Sequence, residues 1–279
     1  MRIVLITGDG LGHRYVANRL AAETRLEGIV VDHGKKISAV GRMRQLWIRY
    51  TIRQLLSRAC LAFFQAIWKD EDVREQSLLS VFGRENCADF LRADIVHHVH
   101  GINTAEGVSA VSSLEPDVIL VFGTGVVGSK ILSLAKKIAL NMHTGISPYY
   151  RGCDCAFWPL YNEDLDMLGA TVHECTKDID GGRIFGTTRV VLKAEDGAFT
   201  VFARCIAAGA DLYVEKVREL MDQDLTGTTQ DLSLGTEYKA YMKGLRAELK
   251  VRSSIKAGLI RRFLETRRAA MVHSTISGV

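Results

Sequence analysis

The chain has 279 residues, 47% hydrophobic and 24% charged, with 3 Pro and a net charge of +4; this excludes a disordered or fibrous chain and supplies core for one large domain with an appendage. No apolar run reaches the roughly 20 residues of a membrane-spanning helix, so no membrane span is expected, and so weak a charge makes no demand for nucleic acid or another anionic partner. The six cysteines (60, 87, 153, 155, 175 and 205) lack metal-finger spacing, and MRIVLITGDG opens as a strand and turn without a signal-peptide pattern, so the expectation is a cytoplasmic protein with reduced thiols.

In chain order, RIVLIT (2–7) predicts a strand, GDGLG a turn, HRYVANRLAAET (13–24) a helix and LEGIVVDH (26–33) a second strand, a β-α-β unit. Residues 42–70 predict one long helix. Its apolar side includes Leu46, Ile52, Leu55, Leu56, Leu61, Phe64 and Ile67, with Arg42, Arg44, Arg49, Arg53 and Arg58 interspersed. ADIVHHV (93–99), PDVILVFG (116–123) and IALNMH (138–143) predict strands, with helices over 104–114 and 129–137 between them. GATVHECT (169–176) and GRIFGTTRVVL (182–192) read as two strands with no intervening helix, followed by a long amphipathic helix over 198–221. Residues 224–237 read as a loop, and the rest as a basic, mostly helical tail with little core. The pattern is α/β: a Rossmann-like, mainly parallel sheet with flanking helices and mixed strands toward one end. The expected division is a catalytic unit over 1–222 and a short helical C-terminal extension over 223–279.

Four places carry candidate chemistry. GDGLGH (8–13) follows a strand and opens a helix, but its third glycine comes one residue too early for a dinucleotide loop. A tight turn that touches substrate, or merely turns, stands beside nicotinamide binding with Asp32 as its acid. In NMHTGISPYYRG (141–152), Asn141 and His143 sit two apart and so share one side of a strand, at the carboxyl edge where open α/β sheets bind ligands. Downstream, Asp180 precedes Gly181 and Gly182 in a tight turn. An Asn, a His and an Asp suit addition to a carbonyl carbon: a proton relay, a carboxylate to hold and charge it, and an amide donor for an oxyanion. Each alone reads equally as a turn residue. HHVHGIN (97–103) puts His98 and His100 on one face and His97 on the other, which gives no convergent metal set. His173 reads as a strand residue near the site, and Cys153 and Cys155 as small apolar residues before reactive thiols.

The series N-x-H, P-x-Y-R-G, G-A-T-V-H and D-x-D-G-G-x-I resembles the formyltransferase family that uses 10-formyltetrahydrofolate, over roughly residues 1–220. Its members include glycinamide ribonucleotide transformylase, methionyl-tRNA formyltransferase and sugar N-formyltransferases. The resemblance implies a catalytic set of Asn141, His143 and Asp180. It also implies a folate-binding loop of Gly123, Thr124, Gly125, Val126 and Val127 acting through main-chain groups, with 10-formyltetrahydrofolate as co-substrate and no metal. Gly10, Asn103, Tyr150 and Arg151 are the expected substrate contacts. Gly145-Ile146-Ser147-Pro148 departs from the family's Ser-Leu-Leu-Pro and loses one hydroxyl near the site.

The acceptor favoured by the helix-like tail is a primary amine on a nucleotide-linked amino sugar or similar small metabolite. Methionyl-tRNA, glycinamide ribonucleotide, formyl-folate hydrolysis, a nicotinamide-dependent oxidoreductase and a silent binding protein remain alternatives. The Arg-rich helix and basic tail read first as solvated surface; a homo-oligomer contact through Trp47, Phe63, Phe64 and Trp68, a membrane-surface face and a site for a phosphate-bearing substrate are the alternatives.

Overall fold

The computed structural model describes residues 1–35 and 51–276, the last six of these by backbone alone. Arg42, Arg44, Leu46, Trp47 and Arg49 of the expected long helix lie outside the described residues. A seven-stranded sheet forms the centre: β1 (Ile3–Thr7), β2 (Leu26–Asp32), β3 (Val96–Val99), β4 (Val118–Phe122), β5 (Ile138–His143), β7 (Gly169–Glu174) and β8 (Ile184–Arg189). Its order is β3-β2-β1-β4-β5-β7-β8. The first five are parallel, and β7 and β8 are antiparallel additions at one edge. This is the mixed α/β sheet that the sequence predicts.

The apolar runs of the central strands are continuous because both faces are covered. On β1, Ile3 and Leu5 join one core while Val4 and Ile6 join the other. The first core includes residues of α1 (Leu11–Glu23), of α3 (Asp70–Phe82) and of the 25-residue α7 (Ala198–Asp222). The opposite face meets α4 (Ala105–Ser113) and the short α5 (Ser129–Leu132). Leu140 and Met142 belong to the α7 side, which turns Asn141 and His143 of the same strand away from it. At the join between β4 and β5 the Tyr213 hydroxyl, fully buried on α7, accepts from Val121 N–H at 2.9 Å and donates to Leu140 O at 2.8 Å.

The expected helix over 42–70 is more broken than its periodicity suggests. α2 (Ile52–Ile67) begins at a capping box, in which Gln54 N–H donates to Thr51 Oγ1 and Thr51 N–H donates back to Gln54 Oε1. It ends before Lys69, whose left-handed backbone (φ 52) turns the chain into α3, whose first turn is acidic. α3 carries no strong amphipathic stripe, so periodicity misses it. Of α2's expected apolar side, Leu61 is buried, while Ile52, Leu56, Phe64 and Ile67 are exposed.

The segment after Asp222 holds more core than its composition implies. β9 (Thr236–Tyr238) pairs in parallel with β6 (Tyr150–Gly152), in the chain just past β5. α6 (Trp158–Asn162), α8 (Leu245–Lys256) and α9 (Leu259–Ile276) build a second core with Trp158, Leu160, Val251 and Ile260 buried in it. Arg252 on α8 donates to both Asp70 carboxylate oxygens and to Glu248, and lies 4.1 Å over the Trp68 ring. Among the described residues no helix is long and apolar enough to cross a membrane.

Replacing Tyr213 by Phe leaves Val121 N–H without its acceptor in a dry interior, at a cost of about 1–3 kcal/mol. The urea midpoint of Tyr213→Phe is expected to fall by that amount at unchanged slope. An unshifted midpoint would show that the hydroxyl does not tie β4 to β5.

Candidate active site

The antiparallel register of β5 and β7 sets Asn141 opposite His173 and His143 opposite Thr171. Four side chains then converge. Asn141 Nδ2 donates to His173 Nε2 at 3.1 Å and to Asp180 Oδ1 at 3.4 Å. His143 Nδ1 lies 3.4 Å from Asp180 Oδ2, and His173 Nε2 lies 3.3 Å from Asp180 Oδ1. The Gly152 N–H from β6 completes the shell, donating to Asp180 Oδ2 at 2.8 Å. The other nitrogens are held from behind: His143 Nε2 is 3.0 Å from Tyr150 O, and His173 Nδ1 is 2.8 Å from Glu174 O.

Asp180 itself sits in the left-handed region (φ 50). The Gln230 amide, from the segment after α7, donates to Asp180 O at 2.9 Å and to Gly182 O, pinning the turn. Gly182 has no room for a side chain, because a Cβ there would lie 2.0 Å from Glu174 O. The D-G-G turn is thus a device for aiming one carboxylate.

Charge follows from this packing. Burial alone would raise the Asp180 pKa, but His143, His173 and the Gly152 N–H outweigh it and hold the carboxylate ionised down to about 2. Burial pushes the His143 pKa down, opposed by the Asp180 charge and reinforced by His173. Both ring nitrogens of His143 face acceptors, Tyr150 O and Asp180 Oδ2, so a proton gained by this ring finds a partner on either side. That suits a relay.

These residues line one side of a cleft of about 680 Å³. Gly123, Thr124, Gly125, Val126 and Val127 line it from the end of β4, and residues 237–240 from the tail. The cleft therefore brings together the expected catalytic set and the whole expected folate loop. The open space at Gly125, where a Cβ would meet nothing within 4 Å, leaves main-chain groups free to face a ligand.

Gly10, Asn103, Tyr150 and Arg151 do not line this cleft, and each has another task. Gly10 precedes α1 and packs on His13. Arg151 is buried, with its guanidinium donating to Pro148 O at 3.2 Å and Leu232 O at 3.1 Å. Tyr150 stacks on Tyr238 and donates to Asp164 at 3.0 Å, and its carbonyl faces His143. Asn103 bonds to the 126–128 main chain. His33 Nε2 and His98 Nδ1 are 2.8 Å apart, yet no group of three or more His, Cys, Asp or Glu among the described residues is arranged for a metal. Cys155 is buried and burial pushes its thiol well up, while Cys153 is exposed with its thiol also raised by partial burial. Gln230 and the Gly152 N–H were not legible in the sequence, since nothing local marks either as a partner of residue 180.

Residues 96–217 match the formyl transferase family model, a span that holds all four converging side chains. That span is less than half of the chain, and it is similar to the formyltransferase family. A curated relative, methionyl-tRNA formyltransferase from Chlorobium chlorochromatii, is 28% identical over 141 residues, 50% of this chain and 45% of that one. The chain thus spans less than half the length of that relative. Among solved structures, a sugar N-formyltransferase from a Shewanella species shares the fold over 90% of this chain and 87% of its own (TM-score 0.54, 13% identity). Phosphoribosylglycinamide formyltransferase from Anaplasma phagocytophilum does so over 86% and 99% (TM-score 0.51, 16% identity).

A carboxylate whose pKa falls on folding from 3.8 to about 2 adds stability above the higher value and loses it as pH drops through the lower. Asp180→Asn is expected to cost about 2 kcal/mol through this linkage at neutral pH. The gap to the parent protein should narrow as pH falls from about 5 to about 3. A gap constant over that range would show that the neighbours do not hold Asp180 ionised.

Proposed function

We propose that this protein is an N-formyltransferase that moves a formyl group from 10-formyltetrahydrofolate to a primary amine. The observation that carries the reading is the convergence of Asn141, His143 and Asp180 in the cleft walled by the 123–127 main chain. That main chain would hold the folate ring, and the bound donor would supply an electrophilic formyl carbon. Asn141 gives the oxygen of that group a donor as negative charge develops on it. His143 takes the proton that the acceptor's nitrogen sheds when the new C–N bond forms, and returns it to the departing folate nitrogen. Asp180 stabilises His143 in its charged interval and fixes its ring. His173, sharing both Asn141 and Asp180, orients the amide and the carboxylate together.

For the acceptor we propose an amine on a nucleotide-linked amino sugar. The fold likeness to a sugar N-formyltransferase runs through 90% of this chain, whereas the sequence match to a methionyl-tRNA formyltransferase covers 50% of it. The first test is thermal unfolding with 5-formyltetrahydrofolate, a stable analogue of the donor, and separately with a nicotinamide cofactor. A ligand at about 100 times its dissociation constant adds about 2.7 kcal/mol, several degrees for a chain of this size. A shift with the folate alone supports the reading, and a shift with the nicotinamide alone overturns it.

Turnover then tests the role of Asn141. Asn141→Ala is expected to lose about 10²–10³ in kcat, the usual cost of one oxyanion donor. A loss under about threefold, with folding intact, would remove Asn141 from that role.

A further inference from the structure

The segment 123–128, between β4 and α5, has little in it to fix its own path. It contains three glycines, Val126 is 72% exposed, and its internal side-chain bond runs from the Thr124 hydroxyl to Gly125 O. Two side chains from other parts of the fold hold it at its two ends. Asn103, in the turn between β3 and α4, spends its whole amide on the far end. Its Nδ2 donates to Val126 O at 2.8 Å and its Oδ1 accepts from Gly128 N–H at 2.6 Å. A side chain at Gly128 would meet Asn103 Oδ1 at 2.8 Å, so the two have no slack between them.

His13, in the first turn of α1, lies against the near end. Gly123 has φ +64, and a Cβ there would lie 2.3 Å from His13 Cε1. The ring packs on Phe122 at 5.4 Å between centroids. Its Nδ1 lies 3.1 Å from Thr7 Oγ1 and accepts from Gly8 N–H at 3.3 Å. Thr7 and Phe122 are register partners on β1 and β4, so one imidazole locks the glycine turn after β1 to the glycine turn after β4. Burial lowers the ring's pKa; Arg74 of α3 and Arg14 act in the same direction, and Asp9 opposes them. The neutral ring keeps its Nδ1 lone pair for Gly8.

We propose that Asn103 and His13 are positioning residues that hold the 123–128 main chain in its ligand-binding shape and so set affinity for the formyl donor. The inference rests on reading 123–127 as the donor loop. A loop that recognises its ligand through backbone groups must have them in place beforehand, or the ligand bears the cost of ordering them. No side chain of the loop supplies that order, so side chains of the β3–α4 turn and of α1 do.

The test uses the full chain, with 5-formyltetrahydrofolate as probe in isothermal titration. The variants are Asn103→Ala, His13→Ala and His13→Gln. Asn103→Ala and His13→Ala are expected to raise the dissociation constant about tenfold or more. His13→Gln retains an acceptor for Gly8 N–H and is expected to recover part of that loss. Hydrogen exchange of the 124–128 amides should rise in Asn103→Ala while the α7 amides stay protected, which a general loss of stability would not produce. If His13→Ala fails to fold, Asn103→Ala and His13→Gln carry the test. Affinities within twofold of the parent protein would overturn the brace alone. A parent protein that does not bind the probe would overturn the donor reading and the brace with it.

Discussion

Asp180 is the shared counter-charge on which the site is assembled. One carboxylate takes the Asn141 amide, faces the His143 and His173 rings, and accepts the Gly152 N–H, so three separate strands, β5, β6 and β7, meet at two oxygen atoms. In a buried place such a charge persists only when fully partnered, and here the partners hold it ionised to about 2. The same partners gain their orientation from it. The anion adds to the orientation that His173 gives the amide and that Tyr150 O gives His143.

That anion in turn depends on backbone that has no chemistry of its own. Asp180 occupies a left-handed turn, Gly182 passes too close to Glu174 for any side chain, and Gln230 holds the turn's carbonyls from 50 residues downstream. The tail is therefore part of the site's construction. β9 lies beside β6, the strand that delivers the Gly152 N–H, and residues 237–240 form one wall of the cleft. Arg252 ties the same region to α3 by neutralising Asp70 and Glu248, two acids that are nearly inaccessible to water.

Two parts of the cleft lining solve different problems. One part of the lining is a cluster of polar side chains on β5, β7 and a turn, in which His143, His173 and Asp180 each also meet a backbone group. Another part is the segment at the end of β4, to whose main chain Asn103, outside the lining, is hydrogen-bonded.

Much of this was legible beforehand for a definite reason. Strand alternation and period two are local properties, so β1 through β5, β7 and β8, the paired facing of Asn141 and His143, and the D-G-G turn could all be read from residue order. The helix α3 was not, because it lacks a hydrophobic stripe, although the expected helix end near residue 70 coincides with the turn at Lys69. Four of the residues expected to touch substrate, Gly10, Asn103, Tyr150 and Arg151, lie near the right edge of the sheet but are turned to other work, since proximity along a strand end does not fix which way a side chain points. The sequence by itself determined the strand that carries Asn141 and His143 and the turn that carries Asp180. Only the tertiary structure decided that His173 would meet the Asn141 amide, that Gln230 would pin the turn at Asp180, and that the tail would wall the cleft, because those contacts join residues 32 to 50 positions and more apart that no periodicity connects.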